Sequence, residues 1–225
     1  MSVPVDIDFV SALEREPSSL RIAFSPDLDV FDVNESVATV LEEAVGDLAD
    51  AGATVDRVDI DHGYTMGELQ MAVTATYTTS LREVATTVEA EFGIDLLTDE
   101  STSESLRTML SMAEHIGAND IAESGMIRTG FFDAIQDRLD EYDLIITPTT
   151  ARVDIGLEED ISTTGFDFPL TWPFNLTGHP AASVPAGLTE EGHPVGCQII
   201  GQRYEDDTVF AGMAALERVR PWTHL

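Results

Sequence analysis

The chain has 225 residues, of which 42 are Asp or Glu and 11 are basic, all of them arginine, giving a formal charge of −31. Hydrophobic residues make up 43%, enough to build a sizeable core, so a disordered acidic tail is excluded. A single cysteine, Cys197, excludes an internal disulfide and a thiolate metal cluster, and the complete lack of lysine excludes a P-loop, a Schiff base and a Ser–Lys nucleophile pair within these residues.

In chain order, residues 20–60 read as a β-α-β unit. Leu20 to Phe24 is a short apolar run stopped by the turn signal Ser25-Pro26-Asp27. Val37, Val40, Leu41, Val45 and Leu48 then fall on one face of a helix. Asp32 or Asn34 is placed to cap it, Asp32 with Glu35 has capping-box spacing, and Ala51-Gly52 closes it. Val55 to Ile60 follows as a second strand, parallel to the first.

Residues 63–140 are helical by pattern, with Gly93, Gly117 and Gly125 as breaks and Thr98 to Ser105 as a loop leading into a helix start. Ile127, Phe131, Ile135 and Leu139 predict one buried stripe. Tyr142 to Thr147 is a strand whose apolar centre, Leu144-Ile145-Ile146, suits a sheet covered on both faces. Two more strands are expected at Ala181 to Pro185 and Val195 to Ile200, joined by a turn over Thr189 to His193. A last helix, about Asp206 to Val219, carries Val209, Met213 and Leu216 on one side. The class is α/β: one domain, or a large piece of one, over 1–225, with a mixed β-sheet flanked by helices.

The acids are spread along the whole chain rather than gathered in a block. Such a surface repels itself in dilute buffer, whereas at ~1 M salt the screening length falls to about 3 Å. A high-salt cytoplasm is the favoured setting, with an acidic partner-binding protein as the alternative. Nucleic acid and anionic membranes are poor partners. No apolar run approaches the ~18 residues of a membrane span, and MSVPVDIDFV lacks the features of a signal peptide, so a soluble cytoplasmic chain is expected.

Few residues offer chemistry. The turn after the first strand holds Asp27 and Asp29 and no glycine, which disfavours a bound pyrophosphate. The five histidines show no metal-ligand spacing, and Asp59-Ile60-Asp61-His62-Gly63 has too few oxygen ligands for calcium, so it reads as a solvated turn. Glu158-Glu159-Asp160 and Glu205-Asp206-Asp207 read as surface charge. Ser183 sits outside a GxSxG elbow and reads as a strand serine satisfied by backbone; Cys197 reads as a buried, inert thiol. No metal and no cofactor is implied.

Four segments carry a resemblance. Trp172-Pro173-Phe174-Asn175-Leu176-Thr177-Gly178-His179-Pro180-Ala181-Ala182-Ser183-Val184-Pro185-Ala186-Gly187 resembles the PFNxTGxPAxSVPxG stretch of amidase-signature enzymes. Glu191 to Gly201 is similar to their DGLPVGLQIVG pattern, with His193 in place of Leu, Tyr142 to Thr149 to YDVLLTPT, and Leu20 to Asp27 to LRIAxSPDL. The resemblance implies part of an α/β/α sandwich and an enzyme that cleaves carboxamide C–N bonds through a Ser–cis-Ser–Lys triad, in a form closer to the general amidases than to the tRNA-linked subunit. That triad and the oxyanion loop belong to the family's first half, which nothing here resembles; Met1 to Phe9 already looks like family interior. The expectation is therefore a second half with no catalytic residue of its own, inactive unless joined to a separate or lost first half, with a split gene, a frameshifted gene and a mis-called start all open and a separately encoded first half as the candidate partner. In the family the loop matching Thr171 to Gly178 lies near the substrate channel, which makes Trp172, Phe174 and Asn175 the candidate wall for a small amide, with packing against the sheet as the other role open to Trp172 and Phe174. A non-catalytic binding module and a decayed gene fragment are the alternatives, and a hydrolase built on Ser183 is a third.

Overall fold

Glu35–Asp50 forms a helix because its apolar positions recur on one face: Val37, Val40, Leu41, Ala44, Val45 and Leu48 are all buried. Asn34 caps it, accepting from the Ser36 N–H at 3.2 Å, and the Asp32–Glu35 capping box is not formed. The Asn34 N–H donates to Ala151 O at 2.8 Å, which fixes the chain in an extended conformation there and sets Asn34 at the cap.

The structure is a computed structural model that describes residues 7–156 and 167–222. Glu158 to Asp160 and His224 lie outside the described residues. In chain order the elements are α1 (Phe9–Ala12), β1 (Arg21–Phe24), α2 (Glu35–Asp50), β2 (Thr54–Arg57), α3 (Met66–Phe92), α4 (Glu104–Ala113), α5 (Ala118–Leu139), β3 (Leu144–Pro148), α6 (Trp172–Thr177), β4 (Ala181–Leu188), β5 (Pro194–Gly201) and α7 (Asp206–Val219). Two compact units result, one of residues 1–63 with 132–225 and one of residues 64–131.

The first unit holds a five-stranded sheet in the order β2-β1-β3-β5-β4. β1 pairs in parallel with β2 and β3, while β5 is antiparallel to both β3 and β4, so the sheet is mixed as expected. Alternate side chains on one face, among them Ile22, Phe24, Leu144, Ile146, Val184, Cys197 and Ile199, share a core with residues of α2 and α7. Ala23, Ile145 and Ile200 point the other way and are equally buried. That is why the centre of β3 shows no polar alternation: all five of its residues are buried.

α7 has the predicted bounds. Val209 and Leu216 are buried, and Met213 is half-buried against the core. Within it Gly212 lets the helix approach the sheet, because a Cβ there would meet Leu144 Cδ1 at 2.6 Å and Ile199 Cγ2 at 3.0 Å. Gly212→Ala gains about 1 kcal/mol of helix propensity but forces fully buried neighbours apart at about 1–3 kcal/mol. The expected net is a loss of about 1 kcal/mol and a fall of about 2–4 °C in Tm, read from a thermal melt in molar KCl.

The second strand is shorter than the sequence suggested. β2 stops at Arg57, and Ile60 is buried in the following turn instead, where the Asp29 carboxylate accepts from the Ile60 and Asp61 N–H groups at 3.2 and 2.7 Å. Nor is Asp59–Gly63 a merely solvated turn. His62 is buried with Nε2 2.9 Å from Leu28 O, and Asp61 pairs with Arg138 at 2.7 Å. The turn that it is bonded to is strained: Leu28 and Asp29 both take left-handed φ values, 49° and 62°.

In the second unit α3 opens with a Thr65–Glu68 capping box and closes at Gly93, φ +69°. Gly125 does not break the chain: α5, of which residues 118–131 belong to this unit and 132–139 to the first, runs unbroken from Ala118 to Leu139. The expected stripe holds it, with Ile127, Phe131, Ile135 and Leu139 all buried, and Ser124 Oγ donates to Ala72 O at 2.8 Å. Past Thr78 no residue of α3 is buried, and Val84 and Phe92 stand exposed.

Candidate functional site

The segment Thr171 to Gly178, expected as a loop, is a short helix. Trp172 and Pro173 open α6, where proline loses no backbone bond because first-turn N–H groups have no intrahelical acceptor. Gly178 ends it at φ +77°, donating its N–H to Phe174 O at 2.7 Å. One turn of helix separates the three expected wall residues by role. Trp172 is buried with its ring 5.9 Å from that of Phe31, so it packs the helix down. Phe174, 2% exposed, and the exposed Asn175 face a cleft.

That cleft has a volume of about 390 Å³. Phe174, Asn175, Gly178, His179 and Pro180 line it from the α6 side, and Arg203, Tyr204 and Asp206 from the β5–α7 connection. His179 is buried and stacked on Phe132, ring centroids 4.9 Å apart at 19°. Its Nδ1 lies 2.9 Å from Thr177 Oγ1, while Nε2 has no hydrogen-bond partner. Burial, and then the Arg203 charge, push its pKa down to about 4, so the imidazole is neutral at ordinary pH. The Arg203 guanidinium lies over the rings of Phe132 and Tyr204, 5.8 and 5.3 Å from their centroids. Sequence reading missed both His179 and Arg203 as a pair; the available signal was a rare cation beside an aromatic residue directly after a strand.

Behind α6 a buried amide ties the sheet to the residues that lead into the helix. Gln198, 2% exposed, donates from Nε2 to Thr147 Oγ1 and to Leu170 O, each at 2.9 Å. Gln198→Leu removes both bonds and leaves the buried Leu170 carbonyl without that donor, at about 1–3 kcal/mol. Faster amide hydrogen exchange over 170–178 is the expected readout, with β1 and α2 unchanged.

Beside it, Ser183 Oγ and Thr149 Oγ1 are 2.6 Å apart, so Ser183 is satisfied by a side chain and not by backbone. A Cβ at Gly196 would meet Thr149 Oγ1 at 2.6 Å, which is why glycine stands there. Cys197 is fully buried, and burial pushes its thiol up to about 12, as suits an inert core residue. Among the described residues no group of three or more His, Cys, Asp or Glu side chains is arranged to hold a metal.

Known proteins share this fold. A model of the Amidase family matches residues 1–210. A glutamyl-tRNA(Gln) amidotransferase subunit of Lacticaseibacillus casei is 30% identical over 234 residues, covering 93% of this chain and 47% of that protein. An acylamidase of Rhodococcus erythropolis is 24% identical, covering 96% and 46%. Among solved structures, a bacterial aryl acylamidase of the amidase-signature family superposes with a TM-score of 0.86 at 29% identity, over 98% of this chain and 48% of that one. The glutamyl-tRNA(Gln) amidotransferase subunit from Thermotoga maritima superposes at 0.69 with 28% identity, over 98% and 47%. The chain thus spans about half the length of the curated relatives it matches. With four motifs in order, the sheet they build and a family match from residue 1 to residue 210, this chain belongs to the amidase family.

Proposed function

We propose that the chain is the second half of an amide-hydrolysing enzyme of the general amidase type, acting when the family's first half supplies the nucleophile, the amine base and the oxyanion donors. The observation that carries this reading is the family match across 1–210, on a chain that spans 47% of a relative and has no lysine. A Ser–Lys mechanism needs an amine base, and none of the 225 positions provides one.

The chain's own contribution is scaffold and substrate wall. Phe174 and Asn175 present an apolar face and a carboxamide to a small amide, and Trp172 holds their helix in place. Support for the general amidase type is the TM-score of 0.86 against the aryl acylamidase, compared with 0.69 against the Thermotoga amidotransferase subunit. A companion polypeptide is supported by the surface left uncovered. β4, eight residues long, is an outer strand of the sheet, and in residues 64–131 Tyr77, Val84, Phe92, Met112, Ile121 and Met126 are exposed. The same surface favours a second reading, a non-catalytic module that binds a protein partner.

The setting belongs to the proposal too: a salty cytoplasm, with neither nucleic acid nor membrane as partner. Among the described residues no helix is long and apolar enough to cross a membrane. The test is hydrolysis of a simple carboxamide in molar KCl by the chain alone and by the chain mixed with a first-half polypeptide. Activity only in the mixture supports the proposal; turnover by the chain alone, abolished by Ser183→Ala, would overturn it.

A further inference from the structure

We propose that the cleft between α6 and the β5–α7 connection binds a small organic carboxylate with an apolar body, held by the Arg203 guanidinium. Arg57, Arg138 and Arg220 pair with carboxylates, and Arg15, Arg82, Arg107 and Arg218 donate to hydroxyl or carbonyl oxygens. Arg203 does neither. It makes ring contacts to Phe132 and Tyr204, but no hydrogen bond or ion pair among the described residues. Stacking engages the face of the guanidinium and leaves its in-plane N–H donors unspent, a planar fork whose geometry matches a carboxylate.

The surroundings narrow the ligand further. The imidazole of His179 is neutral, so Arg203 is the one cation among the lining residues. Phe174, Pro180 and Tyr204 offer apolar and aromatic surface for the rest of the molecule, and Asn175 adds a donor and an acceptor at the rim. Asp206 lines the same cleft and opposes any anion there, so it lowers affinity without supplying a partner to Arg203. The inference goes beyond the amide-hydrolysing reading and does not depend on it, because binding is measured on the single chain.

The experiment is a saturation-transfer and chemical-shift titration of the chain in molar NaCl. Benzoate is the probe, benzamide its neutral counterpart, and acetate and inorganic phosphate are the controls for apolar body and for anion type. Benzoate is expected to bind at least tenfold more tightly than benzamide and more tightly than acetate or phosphate. Arg203→Gln is expected to weaken benzoate tenfold or more, and Asp206→Asn to strengthen it two- to threefold. If Arg203→Gln misfolds by circular dichroism, Arg203→Lys keeps the charge but loses the fork, and is expected to weaken benzoate several-fold. Equal binding of benzamide, phosphate competing as well as benzoate, or folded Arg203 variants that bind benzoate like the native chain would each overturn the proposal.

Discussion

Dialysed from about 2 M KCl to about 50 mM, the chain is expected to lose most of its helical circular dichroism, because the screening length then grows from a few ångströms to more than 10 Å. The charge responsible sits on the outside: no aspartate or glutamate among the described residues is buried. With 42 acids against 11 arginines, most carboxylates have no cation to pair with. Two like charges 4 Å apart repel by only about 1 kcal/mol in water, yet dozens of such terms act against a net stability of about 5–15 kcal/mol. Molar salt removes most of them. Sucrose at matched osmolality separates screening from solute exclusion, since it stabilises compact states without screening charge. Recovery of the spectrum in KCl but not in sucrose is the expected pattern. A spectrum unchanged at 50 mM would remove the argument for a salt-adapted surface.

The sequence made some elements plain and hid others for physical reasons. α2 and α7 were legible because their apolar residues repeat at helical spacing, so burial and local pattern say the same thing. β3 was legible from its uninterrupted apolar centre, which only a strand covered on both faces tolerates. Elsewhere the deciding contacts come from far along the chain. Gly125 looked like a break because glycine weakens a helix, but the Ile127–Leu139 stripe and the Ser124 bond to Ala72 hold α5 together. Ile60 left the second strand because Asp29, thirty-one positions earlier, captures the backbone of the turn.

The candidate site was half legible for the same cause. Phe174 and Asn175 were found through motif resemblance, and both line the cleft. Trp172, found the same way, turns inward to Phe31 because α6 is helical and not an open loop. Arg203 was out of reach, since its significance is the lack of a carboxylate partner, and that is a property of the folded surroundings. The Thr149–Ser183 pair was equally hidden, because it joins the end of β3 to a strand thirty-four positions away.

Mixed with a first-half polypeptide, the chain is expected to raise carboxamide hydrolysis by about 10⁶-fold or more over the uncatalysed rate, the lower end of what enzymes achieve. Either polypeptide alone should stay near background. The size of the jump follows from how the parts divide. Nucleophile, base and oxyanion donors act as a set, and a chain without lysine contributes none of the base's function. On the proposed reading it contributes position: the α6 wall and the sheet behind it would fix where the amide lies, and orientation alone is worth about 7–11 kcal/mol when the reacting groups are held in line. Two substitutions separate these contributions. Replacing the lysine of the first half should abolish turnover while the two polypeptides still co-elute. Asn175→Ala on this chain should raise KM more than it lowers kcat, if, as proposed, its exposed carboxamide touches substrate at a distance from the reacting bond. If Asn175→Ala left both constants unchanged, the wall would have to lie elsewhere on this half. If the mixture co-eluted without turning over any carboxamide, the non-catalytic module would be the better account of what this chain does.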